Sequence, residues 1–100
     1  MTTRNYVHLV DSKFLSIKGE DRKEFLQDMI TNDINKCIED NPIYSCFLSP
    51  QGKFLADFFL INLGDSYLIE INEIYIENFI AKLNIYKLRS KINITIEENY

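Results

Sequence analysis

Residues 54–61 form an almost unbroken apolar run, Phe-Leu-Ala-Asp-Phe-Phe-Leu-Ile, and this run constrains the fold more than any other part of the chain. A run of this length is typical of a β-strand that is covered on both faces. Pro50-Gln51-Gly52 stands before it, after a shorter and mostly apolar run. Proline presets φ at one central turn position, and glycine accepts the positive φ of another. The sequence therefore predicts a hairpin over residues 43–62.

Asp57 is the one charged residue within residues 54–61. Because an unpaired carboxylate is costly to bury, Asp57 must be solvated, paired or functional. In the first two cases it is a strand-edge carboxylate that meets a lysine or water. In the third it lies on the floor of a pocket and accepts a hydrogen bond from a nitrogen-rich ring. Tyr44 and Tyr67 are candidates to stack on such a ring, although aromatic residues in strands more often fill the core.

The rest of the chain predicts two helices and four further strands. Apolar residues with helical spacing follow Asp21 and Asn72, and both of these residues are suitable N-caps. Glu24 lies three residues after Asp21, which predicts a capping box. The further strands are predicted at residues 6–10, 13–18, 67–71 and 91–96. The order β-β-α-β-β-β-α-β indicates one α+β domain over residues 1–100, with a mostly antiparallel sheet and the helices on one face.

Composition and residue inventory argue against several classes of function. A net charge of −4 and a pI near 4.9 disfavour binding to nucleic acid. His8 is the only histidine, so a histidine-based metal site or catalytic triad is not expected, and we predict no catalytic residue. No apolar run reaches the roughly 18–20 residues of a membrane span. Cys37 and Cys46 lack metal-site spacing and are expected as reduced thiols, which together with the absence of an export signal predicts a cytoplasmic protein.

Two further features bear on partners. Hydrophobic residues make up 46% of the chain, slightly more than one small domain can bury, and this excess predicts a partner surface. The basic cluster Lys87, Arg89 and Lys91 is either a solvated end of an element or a small anion site.

Five segments in order resemble the N-terminal region of the YgfZ family, from about Phe14 to Ile96. They are Gly19 through Asp21, Phe25-Leu26-Gln27, Thr31-Asn32-Asp33, Ser49-Pro50-Gln51-Gly52-Lys53 with Asp57, and Tyr86-Lys87-Leu88-Arg89-Ser90-Lys91. Members of that family are folate-binding, iron–sulfur-associated proteins similar to the glycine-cleavage T-protein, an aminomethyltransferase. The resemblance implies the folate-binding fold of aminomethyltransferases and tetrahydrofolate as a ligand.

The resemblance also gives Asp57 a role in cofactor binding. It matches the second acid of the T-protein sequence Gly-Gly-Ile-Ile-Asp-Asp, where a carboxylate works beside the folate nitrogen that carries the one-carbon unit. Ala56 stands in place of the first acid, which disfavours aminomethyl transfer. Tyr44 and Tyr67 are then expected against the pterin ring, and Arg89 and Lys91 against the glutamate tail.

Three functions remain open. The favoured one is a YgfZ-like, tetrahydrofolate-binding accessory protein that acts with iron–sulfur proteins in their assembly or repair. The others are an aminomethyltransferase-type enzyme and a protein-interaction module without a small ligand. The family signature Lys-Gly-Cys-Tyr-x-Gly-Gln, which lies beyond this region in family members, has no match. We therefore expect a missing C-terminal half or a partner chain, and homo-oligomerisation or domain swapping through the apolar surface left uncovered.

Overall fold

The computed structural model describes residues 12–49, 51–87 and 90–97, and the strand predicted at residues 6–10 lies outside them. The elements are β1 (Ser12–Lys18), α1 (Arg22–Met29), a 3₁₀ turn (Ile34–Lys36), β2 (Ile43–Leu48), β3 (Phe54–Asn62), β4 (Ser66–Asn72), a second 3₁₀ turn (Glu73–Tyr75), α2 (Ile76–Tyr86) and β5 (Asn93–Glu97). Within the described residues, the predicted strands and helices are thus present in the predicted order.

The five strands form one sheet in the order β2-β3-β4-β1-β5, and all neighbours are antiparallel. The predicted hairpin is β2–β3, in which Cys46 lies opposite Asp57. Gly52, in the turn, has the positive φ that the sequence requires, at 85°. Because β1 lies between β4 and β5, strands that are distant in sequence complete the sheet. The α+β prediction is confirmed.

One face of the sheet, the helix face, packs against both α-helices. Phe25 of α1 and Phe79 of α2 belong to the same buried cluster as Phe58 and Leu60 of β3. The opposite face, the open face, carries the alternate residues of each strand. Along β3 the side chains alternate between buried on the helix face and partly exposed on the open face. Both described helices lie on the helix face, and the open-face side chains of β3 are partly exposed rather than fully buried.

The outer edge of β2 is closed by the chain that follows α1. The Thr31 N–H donates to the Cys46 carbonyl at 3.1 Å, and the Asn32 side-chain amide donates to the Tyr44 carbonyl at 2.9 Å. The buried Ser45 Oγ accepts from the N–H groups of Thr31 and Asn32 at 3.0 and 3.1 Å. Polar groups that a sheet edge would leave unpaired are satisfied in this way. The Thr31-Asn32 segment thus fixes the strand that carries Tyr44.

The predicted capping box at Asp21 is wrong. The Asp21 side chain makes no capping hydrogen bond to α1. Its Oδ2 instead accepts from the Lys91 N–H at 2.8 Å, while the Asp21 N–H donates to the Lys91 carbonyl at 3.3 Å. The carboxylate therefore binds the chain just before β5 to the start of α1. The Asn72 cap is present, because its Oδ1 accepts from the Ile74 N–H at 3.0 Å and begins the 3₁₀ turn that leads into α2.

Gly19 is required where the chain before α1 crosses the chain before β5. Its φ is +119°, and a Cβ at this position would lie 2.1 Å from the Lys91 carbonyl oxygen and 2.7 Å from the Ile92 Cα. Gly19→Ala should therefore lower the free energy of unfolding by more than about 2 kcal/mol, because backbone atoms would have to move. Equilibrium denaturation in urea measures this change.

Gly52→Ala is the matched control. Gly52 also has a positive φ, +85°, but a Cβ there would meet nothing within 4 Å. Only the backbone cost of about 1–2 kcal/mol for a left-handed residue then applies. Equal losses of stability in the two variants would contradict the steric role of Gly19.

Candidate functional site

The structure pairs two of the predicted site residues, Tyr44 and Asp57, on the open face of the hairpin. The Tyr44 hydroxyl donates to the Asp57 Oδ2 at 2.6 Å. Tyr44 lies opposite Phe59 in the strand register, and Asp57 lies opposite Cys46, so the hydrogen bond runs diagonally across the two strands. Asp57 is thus neither buried alone nor free in solvent. It is a partly exposed carboxylate with one oxygen held by a phenol.

A groove of about 360 Å³ opens beside this pair. It is lined by residues of β2, β3, β4 and the 3₁₀ turn after β4, namely Tyr44, Asp57, Phe58, Phe59, Glu70, Asn72 and Tyr75. The Tyr44 ring meets the Phe59 ring edge-on, with their centroids 5.5 Å apart. The groove therefore joins aromatic surface to two carboxylates, a combination that suits a flat ring rich in N–H donors.

The carboxylate changes the acidity of the phenol. The hydrogen bond to Asp57, together with the negative charge there, raises the pKa of Tyr44 well above its usual value, since both stabilise the protonated form. The Cys46 Sγ lies 4.0 Å from the same hydroxyl and acts in the same direction. Tyr44 therefore stays a hydrogen-bond donor at neutral pH and keeps Oδ2 of Asp57 oriented. Among the described residues no donor occupies Oδ1, so that oxygen can accept from a ligand.

The other predicted site residues lie elsewhere. Tyr67 is buried on the helix face, opposite Ile17, where burial is the main cause that raises its pKa. Lys91 precedes β5 at the opposite edge of the sheet, where its Nζ lies 3.4 Å from the Glu20 Oε1. Arg89 lies outside the described residues. The structure thus brings Tyr44 and Asp57 together and separates Tyr67 and Lys91 from them.

Sequence reasoning missed the β4 side of the groove. Glu70 lies opposite Phe59 and so shares the open face with Asp57. Glu70 is the one charged residue within residues 67–71, which is the same signal that identified Asp57. Asn72 and Tyr75 could not be found in this way, because their position depends on the register of β4 against β3 and on the turn that follows.

A larger cavity, of about 470 Å³, lies on the other side of the sheet near the end of α1. Its lining is mostly apolar and includes Phe25, Met29, Phe47 and Tyr86, with Asp28 as its one charged residue. It lacks a pair like Tyr44–Asp57, so we assign the candidate site to the smaller groove. In the described part of the chain no three metal-ligating side chains cluster, and no helix has the length and apolar character of a membrane span.

The raised pKa of Tyr44 predicts a late phenol titration. In the unfolded chain a tyrosine ionises near pH 10, so above that pH the unfolded state binds fewer protons than the folded state and stability falls. Absorbance at alkaline pH should show Tyr44 and Tyr67 ionising above the usual range, and Tyr44→Phe should remove the Tyr44 component while that of Tyr67 remains. Asp57→Asn should move the Tyr44 titration back toward the usual pKa. A normal Tyr44 titration in the unsubstituted protein would contradict the hydrogen bond.

Comparison with known proteins agrees with this architecture. The family model of the GCVT N-terminal domain matches residues 1–98. The aminomethyltransferase T of the glycine cleavage system from Bartonella henselae superposes with a TM-score of 0.80 at 19% identity, over 87% of this chain and 24% of that one. This likeness confirms the predicted fold, an α+β arrangement of the aminomethyltransferase type.

The curated relatives are much longer proteins. A mitochondrial iron–sulfur cluster assembly factor IBA57 homolog from Neurospora crassa is 34% identical over 95 residues, which cover 88% of this chain and 22% of that protein. Its counterpart from Pyricularia oryzae is 30% identical over 100 residues, which cover 94% and 25%. The chain thus spans about a quarter of the length of the relatives it matches.

These findings decide two of the expectations from sequence. The predicted cytoplasmic location is contradicted, because the relatives are named as mitochondrial proteins and point to that organelle. The resemblance to the N-terminal region of proteins related to the T-protein is confirmed by the family model, which covers nearly every residue. The chain belongs to the GCVT N-terminal domain family.

Proposed function

We propose that this domain binds tetrahydrofolate in the groove on the open face and acts as an accessory domain in iron–sulfur cluster assembly. The observation that carries the proposal is the 2.6 Å hydrogen bond from Tyr44 to Asp57 at the groove. This hydrogen bond holds Oδ2 of Asp57 in place. Because the carboxylate is then fixed, its other oxygen, Oδ1, also has a fixed orientation. The iron–sulfur part rests on the relatives, which are named as cluster assembly factors.

The groove fits part of such a ligand. At about 360 Å³ it is at the small end of the roughly 300–1,000 Å³ that ligand pockets span, enough for a bicyclic ring but not for a whole folate. The ring of tetrahydrofolate carries several N–H donors, and the carboxylate of Asp57 can accept a hydrogen bond from one of them. Phe59 and Tyr75 offer flat apolar surface beside this carboxylate. The residues present therefore suit the pterin end of the ligand.

Each residue of the pair has a distinct task in this proposal. Asp57 accepts a hydrogen bond from a ring nitrogen, a charge-assisted contact that is stronger than a neutral one. Tyr44 touches the ring edge and orients the carboxylate. Tetrahydrofolate, when bound, would supply a carrier for one-carbon units.

An accessory role is favoured over aminomethyl transfer. Ala56, which stands in place of the first acid of the T-protein pair, is buried on the helix face and cannot reach the groove. Asp57 is therefore the one acid at the two positions that match the T-protein pair. The one further carboxylate that lines the groove, Glu70, belongs to another strand.

Lys91 lies too far from the groove to contact a ring that is bound there. Four strand spacings separate β2 from β5 in the sheet, or about 19 Å at about 4.8 Å each. A ring beside Tyr44 would thus leave Lys91 at the far edge. The glutamate tail is more simply directed to solvent or to the remainder of a longer protein.

Calorimetric titration of the purified chain with tetrahydrofolate under anaerobic conditions tests the proposal. We expect binding, and Asp57→Asn should raise the dissociation constant about tenfold or more, because a charged acceptor becomes a neutral amide. Tyr44→Phe should weaken binding less, since the ring remains while the hydroxyl is lost.

Asp28→Asn is the matched control, because Asp28 is a carboxylate in the larger cavity on the other side of the sheet. This change should leave the affinity as it is. If Asp28→Asn weakens binding and Asp57→Asn does not, the ligand site is the other cavity. If the unsubstituted chain binds no tetrahydrofolate, the folate proposal is wrong, and the role as a protein-interaction module is favoured.

A further inference from the structure

The two outer edges of the sheet differ in how their backbone groups are satisfied. The outer edge of β2 is closed by Thr31 and Asn32. The other edge strand, β5, pairs with β1 as its single strand partner among the described residues. An edge strand presents a row of N–H and C=O groups that can pair with another strand. The outer edge of β5 is therefore a candidate interaction surface.

We propose that this edge pairs antiparallel with β5 of a second copy of the chain, about a twofold axis through Ile94. A symmetric pair of this kind places each residue opposite the one equally far on the other side of Ile94. Asn93 then faces Thr95, Ile92 faces Ile96, and Lys91 faces Glu97. The contact would join two five-stranded sheets into one continuous sheet.

The charges around Ile94 select this arrangement. With antiparallel strands, each Lys91 meets a Glu97 of the other copy, and the contact occurs twice. A parallel pairing in register would set lysine against lysine and glutamate against glutamate, and like charges directly opposite are unfavourable. Lys91 is available for the contact, because its ion pair with Glu20 joins side chains that are 77% and 67% exposed. Exposed pairs of this kind are weak.

Apolar surface favours the same pairing. Ile96 is 47% exposed, although it lies opposite Leu15 on the helix face. In the proposed register Ile92 of the second copy lies next to Ile96 and covers it. The strand Asn93–Glu97 also lacks the proline or central lysine with which edge strands usually prevent pairing. Its β-branched residues are well suited to a sheet.

The proposed contact is independent of the groove. β5 and the β2–β3 hairpin lie at opposite edges of the sheet, so the dimer leaves Tyr44 and Asp57 accessible. Failure of folate binding would therefore say nothing about the dimer. The reverse also holds.

Sedimentation of the full chain over a range of concentrations tests the proposal through a charge swap. Glu97→Lys should raise the dimer dissociation constant about tenfold or more, because two attractive contacts become two repulsive ones while the Lys91–Glu20 pair is kept. Lys91→Glu should weaken the dimer in the same direction. The double variant K91E/E97K should restore association, since each contact again joins opposite charges.

Hydrogen exchange locates the interface without substitutions. The amides of Asn93–Glu97 that point away from β1 should exchange more slowly as the protein concentration rises, while those of β2 should not change. A chain that stays monomeric at high concentration overturns the proposal. So does a dimer whose affinity is the same in E97K and in the unsubstituted chain, because that dimer uses another surface.

Discussion

The structure depends on one-sided burial of the hairpin strand β3. Ala56, Phe58 and Leu60 point into the core under both helices, which commits Asp57 and Phe59 to the open face. Because side chains alternate along a strand, a slip of one residue would bury the Asp57 carboxylate and expose Phe58 and Leu60. The cost of burying an unpaired charge therefore fixes the register, and the same register creates the groove.

The groove also depends on groups that do not line it. Tyr44 lies on an edge strand, where a side chain would be free to shift if the edge were unpaired. Thr31 and Asn32 bind the backbone of β2, and the buried Ser45 hydroxyl accepts from both of their N–H groups. The segment that ends α1 is thus what gives the Tyr44–Asp57 pair a fixed geometry. Thr31 and Asn32 therefore position the site although neither residue lines it.

Local patterns predicted much of this fold. The turn at Gly52, the strand at residues 13–18 and the helical spacing of apolar residues in α2 each depend on neighbours in sequence, and each prediction is confirmed. The failures involve distant partners. Asp21 has the composition of a helix cap, but the chain brings Lys91, seventy residues later, within 2.8 Å of its carboxylate. A local sequence pattern cannot show that a long-range contact will take the place of a helix cap.

The candidate site shows the same limit. The break in an apolar run identified Asp57, and the same rule applied to β4 would have identified Glu70. Which tyrosine joins them could not be decided, because Tyr44 and Tyr67 are both aromatic residues of predicted strands. The difference comes from registers: Tyr67 pairs opposite Ile17 and so lies in the core, whereas Tyr44 pairs opposite Phe59 on the open face. Because the strand order of the sheet differs from the order along the chain, the pattern of a single strand does not show which face its tyrosine occupies.

The two edges of the sheet finally suggest why the groove lies where it does. A site that relies on a 2.6 Å contact between neighbouring strands needs those strands held on both sides. β2 and β3 have this support, since β4 pairs with β3 and the Thr31–Asn32 segment closes β2. β5 is held by β1 on one side and at its start by Asp21, so its outer edge can accept another strand without disturbing the groove. Ligand binding at the hairpin thus requires an edge strand whose backbone is already paired, whereas the proposed self-association requires an edge that can still pair. Among the described residues, β2 is an edge of the first kind and β5 is an edge of the second kind.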